Sequence, residues 1–93
     1  METTPHPVQH ATAAQRFELH AEGVTALAEY LRENGRVIFT HTFVPPEMRG
    51  KGLAESLVRA ALAWARAEKL KVVPQCSYVA RFIERHAEDR DLL

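Results

Sequence analysis

The stretch Val44-Pro45-Pro46-Glu47-Met48-Arg49-Gly50-Lys51-Gly52-Leu53-Ala54 is where this sequence concentrates its chemistry. An apolar run ends at two prolines, two glycines permit a tight turn and close ligand approach, and an apolar-periodic segment starts at once. A helix starting there offers backbone N–H groups without internal partners and the positive end of its dipole, which together attract an anion. Arg49 and Lys51 add positive charge beside it. The segment reads as a phosphate cradle, although neither GxxxxGK[ST] nor GxGxxG is present. Glycines near a helix start also make ordinary structural turns. The order strand, turn, helix, strand favours the ligand reading, because open α/β sheets bind ligands at the C-terminal ends of parallel strands.

The elements that must position this turn follow from periodicity and turn chemistry. Phe17, Leu19 and Ala21 alternate with Arg16, Glu18 and His20, predicting a strand with a turn near Glu22-Gly23. Residues 24–33 have good helix formers, yet Asn34-Gly35 follows, a strong hairpin signal that requires strands on both sides. Residues 36–44 are β-branched and aromatic, apolar or neutral on both faces, and predict a central strand covered on both sides. A helix is predicted from about Leu53 to Glu68, with Leu53, Leu57, Val58, Ala61, Leu62, Trp64 and Ala65 on one stripe. Lys71-Val72-Val73 predicts a short strand parallel to residues 36–44, since a helix connects them. Residues 78–86 predict a second amphipathic helix, and the charged C-terminal segment ends in two leucines placed to cap the core.

Length and composition bound the rest. The chain has 93 residues, enough for one domain with a thin core. Twelve basic residues balance twelve acidic ones, so no global field draws the chain to nucleic acid or anionic lipid, and any phosphate must be held locally. The single cysteine, Cys76, leaves no intramolecular disulfide, and neither a signal-like nor a membrane-spanning apolar run is visible. The expectation is a cytoplasmic protein, monomeric or weakly dimeric, without nucleic-acid or membrane partners. Residues 1–14, with two prolines and little to bury, predict a disordered tail ahead of a domain at 15–93. His6 and His10 have an i, i+4 spacing suited to a metal on a helix, but Pro7 disfavours that helix and the expected state is a solvated tail without a metal.

Arg49-Gly50-Lys51-Gly52-Leu53-Ala54 matches the R/Q-x-x-G-x-G/A motif of the GCN5-related N-acetyltransferases. With His41-Thr42-Phe43-Val44-Pro45-Pro46 and Pro74-Gln75-Cys76-Ser77-Tyr78, residues 15–93 resemble the very small, abbreviated members of that superfamily. The resemblance implies an α/β (α+β) fold with a mixed sheet: antiparallel strands followed by a β-α-β-α unit. It implies acetyl-CoA as cofactor, its pyrophosphate held by the turn Arg49, Gly50, Lys51, Gly52, Leu53 and Ala54. Its pantetheine would lie between the strand ending at Val44 and the one starting at Lys71, with the Val44 N–H polarising the thioester carbonyl.

The implied activity is acetyl transfer to an amine, a small molecule or a protein tail. The alternative is a CoA or acyl-CoA-binding module with little turnover, and a third reading is a structural domain that has lost its ligand. Cys76, at the start of the last helix, is a candidate nucleophile for a two-step transfer; the alternative is a small buried apolar residue. His41 is a candidate base for the amine or for Cys76; the alternative is a half-buried histidine bonded to a neighbour. Tyr78 is a candidate proton donor to the departing thiolate; the alternative, commoner for a tyrosine at a helix start, is a packing role. Relative to larger members the chain lacks the helices after the first strand, and Glu84 stands where a tyrosine acid is often found.

Overall fold

The computed structural model describes residues 8–21, 23–50 and 52–93. Strands β1 (Val8–Ala11), β2 (Arg16–Ala21), β3 (Val24–Glu33) and β4 (Arg36–Phe43) run as an antiparallel meander; a 3-10 turn at Pro46–Met48 leads to helix α1 (Leu53–Ala67), strand β5 (Lys71–Pro74) and helix α2 (Ser77–Arg85). A second 3-10 segment, Ala87–Leu92, closes the fold. Sheet order is β1-β2-β3-β4-β5, and β5 pairs parallel to β4, as a helical crossover requires. The β3–β4 hairpin turns on Asn34 and Gly35, both at positive φ (46° and 78°), the backbone that an Asn-Gly pair provides.

One face of this sheet is built to be covered. Phe17, Leu19, Ala26, Ala28, Tyr30, Val37, Phe39 and Val72 are buried, and the strand registers put them on the same side. Against them α1 lays Leu57, Val58, Ala61, Leu62 and Ala65, and α2 lays Val79, Phe82 and Ile83. Both helices therefore sit on one face, α1 across β1, β2, β3 and β5, and α2 beside it over β4 and β5. Leu92 tucks into this core while Leu93 stays 54% exposed, so only one of the two terminal leucines caps it. Arg66 holds the last segment to α1 through Asp91 at 2.8 Å.

Two expectations are corrected. The strand at 36–44 is not covered on both sides: Ile38 is half-buried, and His41 and Phe43 are exposed on a face that no helix among the described residues reaches. The β4-α1-β5 crossover commits α1 to one side, α2 docks against α1, and the described residues offer no further layer for the other side. Residues 8–11 are not disordered but form the edge strand β1. Val8 packs on the core. The His10 ring stacks on Phe17 with centroids 4.1 Å apart, meets Trp64 edge-on at 4.8 Å, and shares a 2.6 Å hydrogen bond with the Tyr30 hydroxyl. His10 behaves here as an aromatic, and it lies on a strand rather than the helix that a metal pair with His6 needs; His6 itself lies outside the described residues.

Candidate functional site

β4 and β5 pair only through Arg36–Phe39 and Lys71–Pro74. Pro74 then ends β5, and the Cys76 N–H donates to the Phe39 carbonyl at 2.8 Å as the chain turns into α2. β4 continues to Phe43 without a β5 partner, so the strands open into a V at their C-terminal ends. The α1 turn closes the wide end of that V. The result is a cleft of about 480 Å³ lined by Thr42, Val44, Arg49, Gly50, Gly52, Leu53, Ala54, Glu55 and Tyr78.

The local backbone explains the glycines. Gly50 and Gly52 stand at φ 80° and 75°, left-handed geometry that side chains adopt only at a cost, and a Cβ at either would meet nothing within 4 Å. The glycines are thus set by conformation, and open space lies above them. Gly52 is also the N-cap of α1, and among the described residues no side-chain hydrogen bond caps the first N–H groups. Those amides remain available to an anion entering the cleft. Arg49 anchors the turn by donating Nε–H to the Val44 carbonyl at 3.1 Å. Uncapped amides, an arginine, two open glycines and a splayed strand suit an extended ligand with a pyrophosphate at one end.

The sequence-predicted site residues Val44, Arg49, Gly50, Gly52, Leu53 and Ala54 all line this cleft; Lys51 lies outside the described residues. Thr42 and Glu55 were missed. Thr42 was within reach of sequence reasoning, since it precedes Val44 by two residues and shares its face of the strand. Glu55 is held by Arg59 at 2.7 Å, and that hydrogen bond keeps its carboxyl below the usual range. Tyr78 is 36% exposed, and its hydroxyl pKa is raised by burial and by the Glu55 charge, so it carries its proton at neutral pH.

Cys76 and His41 are not brought together. Cys76 is half-buried at the N-cap of α2, with Sγ 3.3 Å from Thr42 Oγ1. It lies behind Thr42 and does not itself line the cleft. Burial pushes its thiol pKa up, but the Thr42 hydroxyl and the backbone N–H groups of Val79 and Tyr78 outweigh that, leaving it below the ordinary value. His41 is exposed and pairs in register with Glu29, whereas Thr42 pairs with Ala28. Side chains alternate along a strand, so His41 projects from the bare face of the sheet while Thr42 and Cys76 meet on the helix-covered face. His41 is therefore not placed as a base for Cys76; the only role left open to it is toward a molecule approaching from the bare side.

Residues 16–92 match the family described as GCN5-related N-acetyl-transferase. Protein NATD1 from Gallus gallus is 31% identical over 85 residues, spanning 88% of this chain and 77% of that protein. The Homo sapiens protein of the same name is also 31% identical over 85 residues, spanning 88% of this chain and 75% of its own. The solution structure of a GCN5-like protein from Staphylococcus aureus superposes with a TM-score of 0.76 at 22% identity, covering 97% of this chain and 89% of that one. The chain belongs to the GCN5-related N-acetyltransferase family.

Proposed function

We infer that this protein binds acetyl-CoA in the β4–β5 cleft and transfers the acetyl group to an amine. The observation that carries this reading is the coincidence, in one cleft, of the uncapped α1 N-terminus, the two left-handed glycines and the unpaired end of β4. Bound acetyl-CoA supplies an activated acetyl group as a thioester. The amides of Leu53 and Ala54, with Arg49, hold the pyrophosphate. With acetyl-CoA held there, the Val44 N–H would donate to the thioester carbonyl oxygen as negative charge builds on it, and Tyr78 would supply a proton to the leaving sulfur. His41 takes a proton from the amine, which approaches from the bare face through the V. Cys76 offers a second route: its thiolate displaces CoA to form an acetyl-cysteine, which the amine then cleaves to regenerate the thiol.

The position of Cys76 behind Thr42 supports direct transfer over the covalent route. The same feature is compatible with a CoA-binding module of little turnover. Calorimetric titration with acetyl-CoA followed by intact-mass measurement separates these readings. Binding with one added acetyl group, lost in Cys76→Ala, supports the covalent route. Binding without an adduct, together with acetylation of an added amine, supports direct transfer. Failure of the folded protein to bind acetyl-CoA overturns the cofactor assignment.

A further inference from the structure

The cleft that suits an anionic ligand is also lined by a carboxylate. Among its described lining residues Arg49 is the one cation and Glu55 the one anion. Glu55 is the third residue of α1, in the same turn as the uncapped amides, and a helical turn rises only about 5 Å. An uncompensated charge that close to a pyrophosphate lies inside the Debye length, about 8 Å at physiological ionic strength, and repels it. Glu55 is not neutralised by burial: its side chain is 46% exposed, and its carboxyl titrates below the usual range.

Arg59, one turn farther along α1, answers that charge. Its Nε–H and an Nη2–H both donate to Glu55 Oε2, at 3.1 and 2.7 Å. Arg59 does not line the cleft; it borders a separate groove between α1 and the C-terminal 3-10 segment. It is braced from α2. The guanidinium stands over the Phe82 ring, 5.5 Å from its centroid, and Nη2 lies 3.4 Å from His86 Nε2. His86 Nδ1 is 2.7 Å from the Phe82 carbonyl, which only accepts, so in the neutral ring Nε2 presents its lone pair to Arg59. Phe82 itself is buried in the core, which fixes both of these contacts. We propose that Arg59 is a positioning residue for the anion site: held from α2, it pins Glu55 and cancels its charge where the pyrophosphate enters. This role rests on the reading of the cleft as the acetyl-CoA site, and it gives α2 a part in setting the charge of the first turn of α1.

Arg59→Met keeps an unbranched stem against Phe82 and removes the charge. Wild type, Arg59→Met, Glu55→Gln and the double variant are titrated calorimetrically with acetyl-CoA and, separately, with inorganic pyrophosphate, at low salt and at about 0.5 M NaCl. Arg59→Met is expected to weaken both ligands about tenfold, the scale of a coupled charge pair. Glu55→Gln should tighten both, and the double variant should return to within about twofold of wild type. The loss in Arg59→Met should shrink at high salt. A pair that merely braces α1 behaves otherwise: the double variant, which also lacks it, binds as weakly as Arg59→Met. That result, an unchanged affinity in Arg59→Met, or a loss independent of salt overturns the role given to Arg59. Wild type that binds pyrophosphate but not acetyl-CoA sinks the cofactor reading alone, and the four proteins still decide this one; binding of neither overturns both. Arg59→Gln, equally uncharged, takes the place of Arg59→Met if urea unfolding shows the latter to be unfolded.

Discussion

The two faces of β4 carry different chemistry within neighbouring residues. On the helix-covered side Thr42 meets Cys76, and Thr42 and Val44 wall a cleft capped by a helix N-terminus. On the bare side His41 stands beside Glu29, with no helix above it among the described residues. Under the proposed acetyl transfer, a two-layer sheet with one open face lets cofactor and acceptor approach a strand end from opposite sides. The period-2 alternation of the strand, not distance along the chain, decides which residue stands on which face.

The comparison is sharpest in stability. Leu19→Ala or Leu57→Ala, at fully buried positions on the covered side, should each cost about 2–5 kcal/mol in urea unfolding. Leu31→Ala, 51% exposed on the bare side, should change stability by no more than about 0.5 kcal/mol. A large loss at Leu31 would show that the bare face is covered in solution. In function the faces should separate cleanly. His41→Ala is expected to leave acetyl-CoA affinity intact while slowing acetyl transfer about a hundredfold or more, as loss of a general base does. Gly52→Val should do the reverse, weakening acetyl-CoA binding about tenfold through a side chain forced into left-handed backbone at the anion-binding amides. If His41→Ala weakens cofactor binding instead, the division between faces fails.

Smaller effects probe each side's polar contacts. Cys76 should be alkylated by iodoacetamide with a midpoint below that of an ordinary thiol, and Thr42→Val should move that midpoint upward, because the hydroxyl that favours the thiolate is gone. At the sheet edge, burial lowers the His10 pKa, against a smaller opposing pull from Glu68. The unfolded chain then takes up the proton first, so this contribution is constant above the ordinary histidine range, near 6.5, and is lost as pH falls below it. His10→Gln should flatten that part of a pH-dependent urea-unfolding series.

Much of the frame was legible because local chemistry and tertiary need agree. Asn34-Gly35 outvoted the helix propensity of residues 24–33, and β3 is the strand that the hairpin requires. Pro45-Pro46 ended β4, the 3.6-residue stripe marked α1, and the glycines marked the turn between them. β1 escaped notice because the polarity of His10 says nothing of the stacking partners that make it an aromatic; Phe17, Tyr30 and Trp64 are assembled only by folding. The covered-on-both-sides reading of β4 failed because threonine and histidine sit equally well against a helix or against water.

The sequence by itself determined the order of β2 to β5 and of the two helices, the parallel β4–β5 pair and the glycine turn before α1, since each rests on interactions within a few residues or on chirality rules that hold for any chain. Only the tertiary structure decided that both helices share one face. It alone brought Thr42 within 3.3 Å of Cys76 across 34 residues of chain, and set Glu29 opposite His41 by a shifted register. These outcomes depend on how α2 docks against α1 and on where the β3–β4 ladder slips. Both are settled by packing between segments distant in sequence, for which no local pattern carries a signal.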